Sequence, residues 1–296
     1  MTPVFGGGLE KYSQLVKADP PAAIAAAPRH GVRITYLGTS AYLLESRDAV
    51  VLIDPYFSRQ SLYRMAFRLK PVADETLVTS WLRDHPRIDA VLVTHGHVDH
   101  LFDVPEIMRA TGAKLIASST SVELVRSTGI PAGQTRAVRS GSTAIVRHAV
   151  IHVLPATHDR LFGGVPLDGA PKHLPPEKIS DWVKGEPLAF IIEMGGKRIF
   201  MNSGGRDDKS LSYHSSPVDL AIVGVSSGEA IRAARSTIAQ LHPRYILPSH
   251  QDYFFRPLRD GFAFMLRTNF PEMQRVAAEA PGQLILLDYF KPWTLR

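Results

Sequence analysis

Short apolar runs, rich in β-branched residues and separated by polar turns, recur along most of the chain. After Val32, VRITYLG, AYLLES and AVVLIDP follow one another with only glycine or charged residues between them, which predicts consecutive antiparallel strands. IDAVLVTH has the pattern of a buried strand, and AKLIASS is strand-like between the helical patterns VPEIMRATG and TSVELVRSTG. This strand, helix, strand, helix order indicates an α/β layer.

The second half of the chain continues this mixture without a repeat of fixed period. STAIVRHAVIHVLPATH, LAFIIEMGGKRIFMNS and VDLAIVGVSS supply strands, with a hairpin turn predicted between Glu193 and Lys197. GEAIRAARSTIAQLHP is typical of a helix and YILPSH of a last strand. The loose similarity of the two halves is consistent with two facing β-sheets.

The start of the chain differs from the rest. Glu10 to Lys17 has the pattern of a short helix, and the Pro/Ala-rich stretch from Asp19 to Arg29 is typical of a linker or surface arm. We therefore predict an arm or linker over residues 1–31 and one domain over residues 32–296. A chain of 296 residues is long enough to bury a large core.

The composition is that of a globular protein, with 45% hydrophobic and 21% charged residues, which excludes a disordered chain. No apolar run approaches the roughly 20 residues of a membrane span, so no transmembrane segment is expected. The N-terminal residues lack the basic segment followed by a long apolar one that marks a signal peptide. These features favour a cytoplasmic location, or an exported protein if a leader has been removed.

The net charge of +6 arises from scattered residues rather than from a run of like charges. The densest basic group is Arg64, Arg68 and Lys70, whose spacing suits one face of a helix. We interpret it as a solvated face, or alternatively as a group that steers an anionic substrate. The sequence has no basic stripe, so no nucleic acid is expected as a partner.

The chain has no cysteine. Disulfides, thiolate zinc sites and a cysteine nucleophile are therefore excluded. Any bound metal must use nitrogen and oxygen ligands.

Several apolar runs stop on a polar residue, as in VLVTHGHVDH, HVLPATH, IFMNS and YILPSH. If these strands share a direction, their carboxyl ends meet at one edge, the usual position of a site in an α/β protein. In the densest stretch, THGHVDH, His95 and His97 are two residues apart and precede Asp99 and His100. Imidazole nitrogen and carboxylate oxygen both suit Zn²⁺, and packing alone gives no reason to crowd four such groups together.

THGHVDH resembles the HxHxDH signature of the metallo-β-lactamase superfamily. VLIDPYF, with Asp54, is similar to the earlier Asp motif of that family, and LPATH and ILPSHQD each contain a histidine where further metal ligands are expected. The resemblance covers roughly residues 32–255. LIDPYF and LAFIIEMGGKRIFMNSGG are most similar to the branch that contains L-ascorbate-6-phosphate lactonase and N-acyl phosphatidylethanolamine phospholipase D. The implied fold class is α/β, an αββα sandwich of two mixed β-sheets flanked by helices.

The resemblance also implies how the site residues are used. It places six metal ligands in two groups, His95, His97 and His158 for one cation and Asp99, His100 and His250 for a second. Zn²⁺ is the expected metal, one or two per chain, with Mn²⁺ or Fe²⁺ as alternatives. Asp99 is also the candidate catalytic residue, which would orient a water and accept its proton. Asp54 would support the metal loop.

One position departs from the pattern of the family. Relatives have an Asp that bridges two metals after the strand equivalent to RIFMN, whereas this chain has Ser203. A hydroxyl is a poorer ligand for a dication than a carboxylate, so the second cation should bind more weakly. Four outcomes stay open: a single-metal enzyme, two metals bridged by water alone, rescue by Asp207 or Asp208, and loss of activity.

Three further residues are weaker candidates for contacts behind the metals or with the substrate. Asp159 directly follows His158, Tyr253 lies close after His250, and Ser226 precedes the helical pattern EAIRAARS. An exposed loop explains Asp159 about as well, core packing explains Tyr253 almost as well, and N-capping of that helix is the preferred explanation for the serine.

The predicted function is a metal-dependent hydrolase that uses a metal-activated water on an ester, lactone or phosphodiester. Its partner would be a small-molecule substrate, which the resemblance to this branch suggests is anionic. Two alternatives are kept: a mononuclear iron oxygenase of the same fold, and a binding protein that has lost activity through Ser203. The sequence allows an oligomer without specifying one.

Overall fold

The computed structural model describes residues 7–23, 27–160, 164–203, 217–266 and 268–296. Within these residues the strands form two seven-stranded sheets. The first sheet contains, in spatial order, Trp293–Leu295 (β14), Val32–Gly38 (β1), Ala41–Glu45 (β2), Val50–Ile53 (β3), Ala90–Leu92 (β4), Lys114–Ala117 (β5) and Thr135–Ala137 (β6). The second contains Gln283–Leu284 (β13), Tyr245–Ser249 (β12), Leu220–Gly224 (β11), Lys197–Asn202 (β10), Leu188–Met194 (β9), Ala149–Pro155 (β8) and Thr143–Val146 (β7).

Helices connect many of these strands. The α-helices are Leu62–Ala66 (α1), Glu75–Asp84 (α2), Val98–Leu101 (α3), Val104–Thr111 (α4), Ser119–Ser127 (α5), Gly228–Leu241 (α6) and Phe270–Ala278 (α7). Short 3₁₀ helices cover Leu9–Leu15, Pro21–Ala23, Ala132–Gln134, Ile179–Asp181 and Leu258–Asp260.

Strand alternation explains why the two sheets stack. In β9, Phe190 and Ile192 belong to the core shared with the first sheet, whereas Ile191 belongs to a second core shared with α6 and α7. Successive side chains of a strand point to opposite faces, so a strand that is apolar throughout is covered on both sides. Helix α5 packs against β5 and β6 on the other flank. The predicted αββα sandwich of two mixed sheets is confirmed.

The local turn signals act as the sequence predicts. β1, β2 and β3 are paired antiparallel. The β9–β10 hairpin turns through Gly195 and Gly196, whose φ angles of 56° and 71° are those that a two-residue hairpin turn needs. Helix α4 ends at Gly112, which adopts a left-handed φ of 70°.

The short helix predicted near the N-terminus is present as the 3₁₀ helix Leu9–Leu15. One other local expectation is wrong. Arg64, Arg68 and Lys70 do not share a helix face, because α1 ends at Ala66 and Arg68 adopts a φ of 51°.

The residues before β1 contact the body of the protein. Leu9 is buried in the core beneath the second sheet, and the amide of Lys17 donates to the carbonyl of Leu286 at 2.9 Å. The division into an arm of residues 1–31 and a domain of residues 32–296 stays a prediction. Among the described residues, no helix is both long and apolar enough to cross a membrane.

The topology brings several strand ends to one edge. β3 and β4 run parallel in the first sheet, and β10, β11 and β12 run parallel in the second. Five predicted site residues follow the carboxyl ends of strands β3, β4, β8, β10 and β12: Asp54, His95, His158, Ser203 and His250.

Candidate metal centre

The structure brings the six predicted metal ligands together in two adjacent groups, both made of buried or nearly buried side chains. We call the first the three-histidine group and the second the Asp99 group. In each group the potential ligand atoms lie within 4.8 Å of one another; the members are His95, His97 and His158 in the first and Asp99, His100 and His250 in the second.

The loop after β4 divides its side chains between the two groups. His95 and His97 precede α3, with extended backbone at His97, while Asp99 and His100 lie in the single turn of α3. Gly96 is required between the two histidines, because a Cβ there would lie 2.3 Å from the carbonyl oxygen of Val183.

The Asp54 carboxylate anchors this loop from beneath. It is fully buried and accepts hydrogen bonds from the Thr94 amide at 2.7 Å and the Thr94 hydroxyl at 2.6 Å. It also accepts from Nδ1 of His100 at 2.9 Å. A carboxylate accepts hydrogen bonds only, so these contacts place a proton on Nδ1 of His100 and leave its Nε2 facing the Asp99 group.

Thr94 fixes the tautomer of His95. The hydroxyl of Thr94 donates its only proton to Asp54. Its oxygen can therefore only accept the hydrogen bonds from Ser203 Oγ at 2.8 Å and from Nδ1 of His95 at 3.1 Å. The proton of His95 therefore lies on Nδ1, and the lone pair of its Nε2 points into the three-histidine group.

The other two histidines of this group are oriented in the same way. Nε2 of His97 donates to the carbonyl of Pro166 at 3.0 Å, and Nδ1 of His158 donates to the carbonyl of Asp159 at 2.8 Å. A carbonyl can only accept, so one lone pair of each ring is left for the interior of the group.

The resulting contact between His95 and His97 fits a bound cation. Nε2 of His95 lies 3.0 Å from Nδ1 of His97, and both atoms are acceptors. Burial, followed by the neighbouring imidazoles, lowers the pKa of His95 well below 6.5, and burial with His158 lowers the pKa of His97 to about 3, so no proton bridges them at neutral pH. Two nitrogens bound to one tetrahedral zinc ion at about 2.0–2.1 Å lie about 3.3 Å apart, which is close to the distance found here.

The Asp99 group combines one carboxylate with two imidazoles. Oδ2 of Asp99 lies 3.5 Å from Nε2 of His100 and 3.3 Å from Nε2 of His250. Burial alone would raise the pKa of Asp99, but the two imidazoles hold it well below 3.8. For His100, burial is outweighed by Asp99 and Asp54, which raise its pKa to about 10. Metal ligation needs a neutral imidazole, so a cation and a proton would compete for this group.

A buried ion pair supports the backbone on either side of His250. The amide of His250 donates to the carbonyl of Thr39 at 2.8 Å, and the amide of Thr39 donates to both oxygens of Asp252 at 3.0 and 3.1 Å. Asp252 is paired with Arg59 at 2.5 Å and accepts from the hydroxyl of Tyr289. Gly38 makes room for this pair, because a Cβ at that position would lie 2.0 Å from the Arg59 guanidinium.

The weaker candidates have mixed outcomes. Oδ1 of Asp159 lies 3.2 Å from Nδ1 of His158, and its Oδ2 accepts from Ser226 at 3.3 Å, so both residues lie behind the three-histidine group. The cap of α6 is Ser227, whose side chain accepts from the amide of Ala230. The ring of Tyr253 packs against Phe255 at 5.5 Å.

Ser203 is buried, and its hydroxyl donates to Thr94. Asp207 and Asp208, the predicted rescue residues, lie outside the described residues.

The roles of Thr94, Thr39, Arg59 and Asp252 were not predicted. Thr94 stands beside the HxHxDH motif, but nothing in its sequence context shows the direction of its hydroxyl. Arg59 and Asp252 are 193 residues apart, so only the tertiary structure pairs them. Phe254 packs edge-on against His250, with ring centroids 4.9 Å apart.

Comparison with known proteins gives the family. A family model described as "Beta-lactamase superfamily domain" matches residues 33–250, which include all six candidate ligands. The chain belongs to the metallo-β-lactamase superfamily. A UPF0173 metal-dependent hydrolase of Anaeromyxobacter dehalogenans is 27% identical over 276 residues, which cover 90% of this chain and 89% of the relative.

Solved structures share the fold at lower identity. Igni18, a metallo hydrolase from Ignicoccus hospitalis, is 21% identical with a TM-score of 0.61, and the match covers 90% of this chain and 98% of Igni18. CmlA, a diiron β-hydroxylase from Streptomyces venezuelae, is 15% identical with a TM-score of 0.58, covering 91% of this chain and 55% of CmlA.

Proposed function

We propose that this superfamily member is a metal-dependent hydrolase whose three-histidine group holds one divalent cation and whose Asp99 group holds a second, more weakly. The contact that carries the proposal is the one between His95 and His97, where two lone pairs face each other at 3.0 Å. Two acceptors at this distance repel unless an electrophile lies between them. The family match and the metal-dependent hydrolase from Anaeromyxobacter dehalogenans support the same conclusion.

The donor set suits zinc. Three neutral imidazoles, each oriented by a hydrogen bond from its other nitrogen, are typical of a catalytic zinc site that keeps an open position. A cation bound in such a site lowers the pKa of coordinated water towards about 7 and polarises the bond under attack.

Residues around the metal site have separate roles in the proposed reaction. Asp99 is ionised at neutral pH and buried, so its carboxylate would accept a hydrogen bond from the attacking water and orient it. Asp54 and Thr94 hold the loop, and Asp159 holds His158. The bond cleaved is an ester, lactone or phosphodiester, and the resemblance to the lactonase and phospholipase branch favours an anionic substrate.

The test begins with elemental analysis of untagged protein purified without added metal. We expect zinc at one to two ions per chain, and hydrolysis of at least one member of a panel of esters, lactones and phosphodiesters. A chelator should abolish this hydrolysis and added zinc should restore it. A protein that binds no divalent cation in titrations would contradict the proposal.

Elemental analysis also distinguishes the hydrolase from the alternative of an iron oxygenase. CmlA, which shares the fold, is a diiron β-hydroxylase. Zinc with oxygen-independent turnover supports the hydrolase. Iron with oxygen-dependent turnover would replace it.

Substitution of Ser203 by aspartate should strengthen the second cation. A carboxylate is a better ligand for a dication than a hydroxyl, and Ser203 lies in hydrogen-bond contact with Thr94 at the base of the metal loop. We expect the affinity of the weaker site to rise by about tenfold or more, as measured by calorimetric zinc titration.

Ser203→Asn is the matched control, because it adds nearly the same volume without the charge. Equal zinc affinity in the aspartate and asparagine variants would show that position 203 does not face the second cation.

A further inference from the structure

Exposed apolar side chains are concentrated in residues 62–72, which we call the 62–72 segment. Of the eight large hydrophobic residues exposed in the described chain, four lie here: Leu62 (53% exposed), Tyr63 (64%), Phe67 (66%) and Val72 (52%). Single exposed hydrophobic residues are ordinary, but a cluster this dense marks a contact surface. The rings of Tyr63 and Phe67 pack together at 4.8 Å, so the exposed apolar surface is continuous there.

The segment projects in a fixed conformation. The side-chain amide of Gln60 accepts from the amide of Val72 at 2.9 Å and donates to its carbonyl at 2.8 Å, which ties the two ends together. The Arg64 guanidinium donates to the carbonyl of Lys70, and the amide of Ile179 donates to the carbonyl of Leu69. A surface ordered in advance loses little conformational entropy when it binds.

The charge of the segment selects the partner. Residues 60–73 contain the cations Arg64, Arg68 and Lys70 and no aspartate or glutamate. A second copy docked through the same surface would bring like charges together, which disfavours a symmetric dimer. Leu62, Tyr63 and Phe67 are each more than half exposed and protrude from the surface, so they suit a soft partner into which they can insert.

We propose that the 62–72 segment docks the protein on an anionic lipid bilayer. Tyr63, Phe67 and Leu62 insert at the level of the headgroups, where amphipathic aromatic rings are favoured. Arg68 and Lys70 meet the lipid phosphates, each cation strengthening binding by about fivefold. This proposal is independent of the metal site, because it uses no ligand residue.

The test is sedimentation of the full chain with vesicles of phosphatidylcholine alone and with vesicles that also contain phosphatidylglycerol. We expect binding to the anionic vesicles only, and loss of that binding on addition of salt. The apolar variant is Tyr63→Ser with Phe67→Ser, and the basic variant is Arg68→Gln with Lys70→Gln, which keeps Arg64 and its bond. Each should weaken binding by about tenfold or more.

Matched controls lie on other surfaces. Ile145→Ser removes a 68% exposed apolar side chain from β7, and Lys114→Gln with Arg83→Gln removes two exposed charges elsewhere. Both controls should bind the anionic vesicles like the unchanged protein. Unchanged binding by the apolar or the basic variant, or no binding by the unchanged protein, would overturn the proposal. So would a dimer in solution that the apolar variant converts to a monomer.

Discussion

Replacing His97 by alanine is expected to remove the cation of the three-histidine group and to abolish hydrolysis. The imidazole supplies one of three lone pairs that meet there, and its Nδ1 lies 3.0 Å from Nε2 of His95. Loss of a residue behind a metal ligand costs about 10- to 100-fold in affinity or activity, and loss of the ligand itself should exceed that range. Elemental analysis and turnover of the substrate found in the panel measure both effects.

His148→Ala is the matched control, because it removes an imidazole from an exposed position between β7 and β8. It should keep full metal content and activity. Circular dichroism of both variants shows whether the fold is retained. A folded His97→Ala protein with full zinc occupancy would refute the assignment of this residue as a ligand.

The sequence predicted the sandwich because its signals are local and repeated. β9 is apolar at nearly every position, and strands of that type are covered on both faces. Gly112, Gly195 and Gly196 mark turns that need positive φ, and they adopt it. The failure at Arg68 has a similarly local cause, since charge spacing alone does not show that a helix stops after Ala66.

The site was only partly predictable for a different reason. The resemblance to the HxHxDH family implied the six candidate ligands, and the structure brings them together. Their orientation depends on hydrogen bonds between distant parts of the chain, such as Thr94 with Asp54 and Ser203. Sequence patterns contain no information on the direction of a hydroxyl or on which ring nitrogen is protonated.

The Arg59–Asp252 pair is the clearest case of a contact that only the structure reveals, and its removal should be costly. Both side chains are buried, and the Asp252 carboxylate accepts from Arg59, Tyr289 and the Thr39 amide. Arg59 holds the pKa of Asp252 below its usual value although burial opposes this, so the group is a carboxylate at neutral pH. Asp252→Asn places an amide NH₂ among donors and leaves the guanidinium without its counter-charge. We expect a loss of about 3–5 kcal/mol in the free energy of unfolding.

Urea denaturation with a chelator present measures this loss without a contribution from bound metal. Arg275→Gln is the control. Arg275 is 70% exposed and pairs with Glu272 at the surface, so its substitution should change the free energy of unfolding by less than about 1 kcal/mol.

The double variant Arg59→Met with Asp252→Asn removes both charges, so its loss of stability should be smaller than the sum of the two single losses. Because Asp252 fixes Thr39 and Thr39 accepts from His250, the Asp252 variant should also bind zinc more weakly at the Asp99 group. Additive losses in the double variant would show that the two side chains are not coupled, and the support of His250 would then have to come from elsewhere.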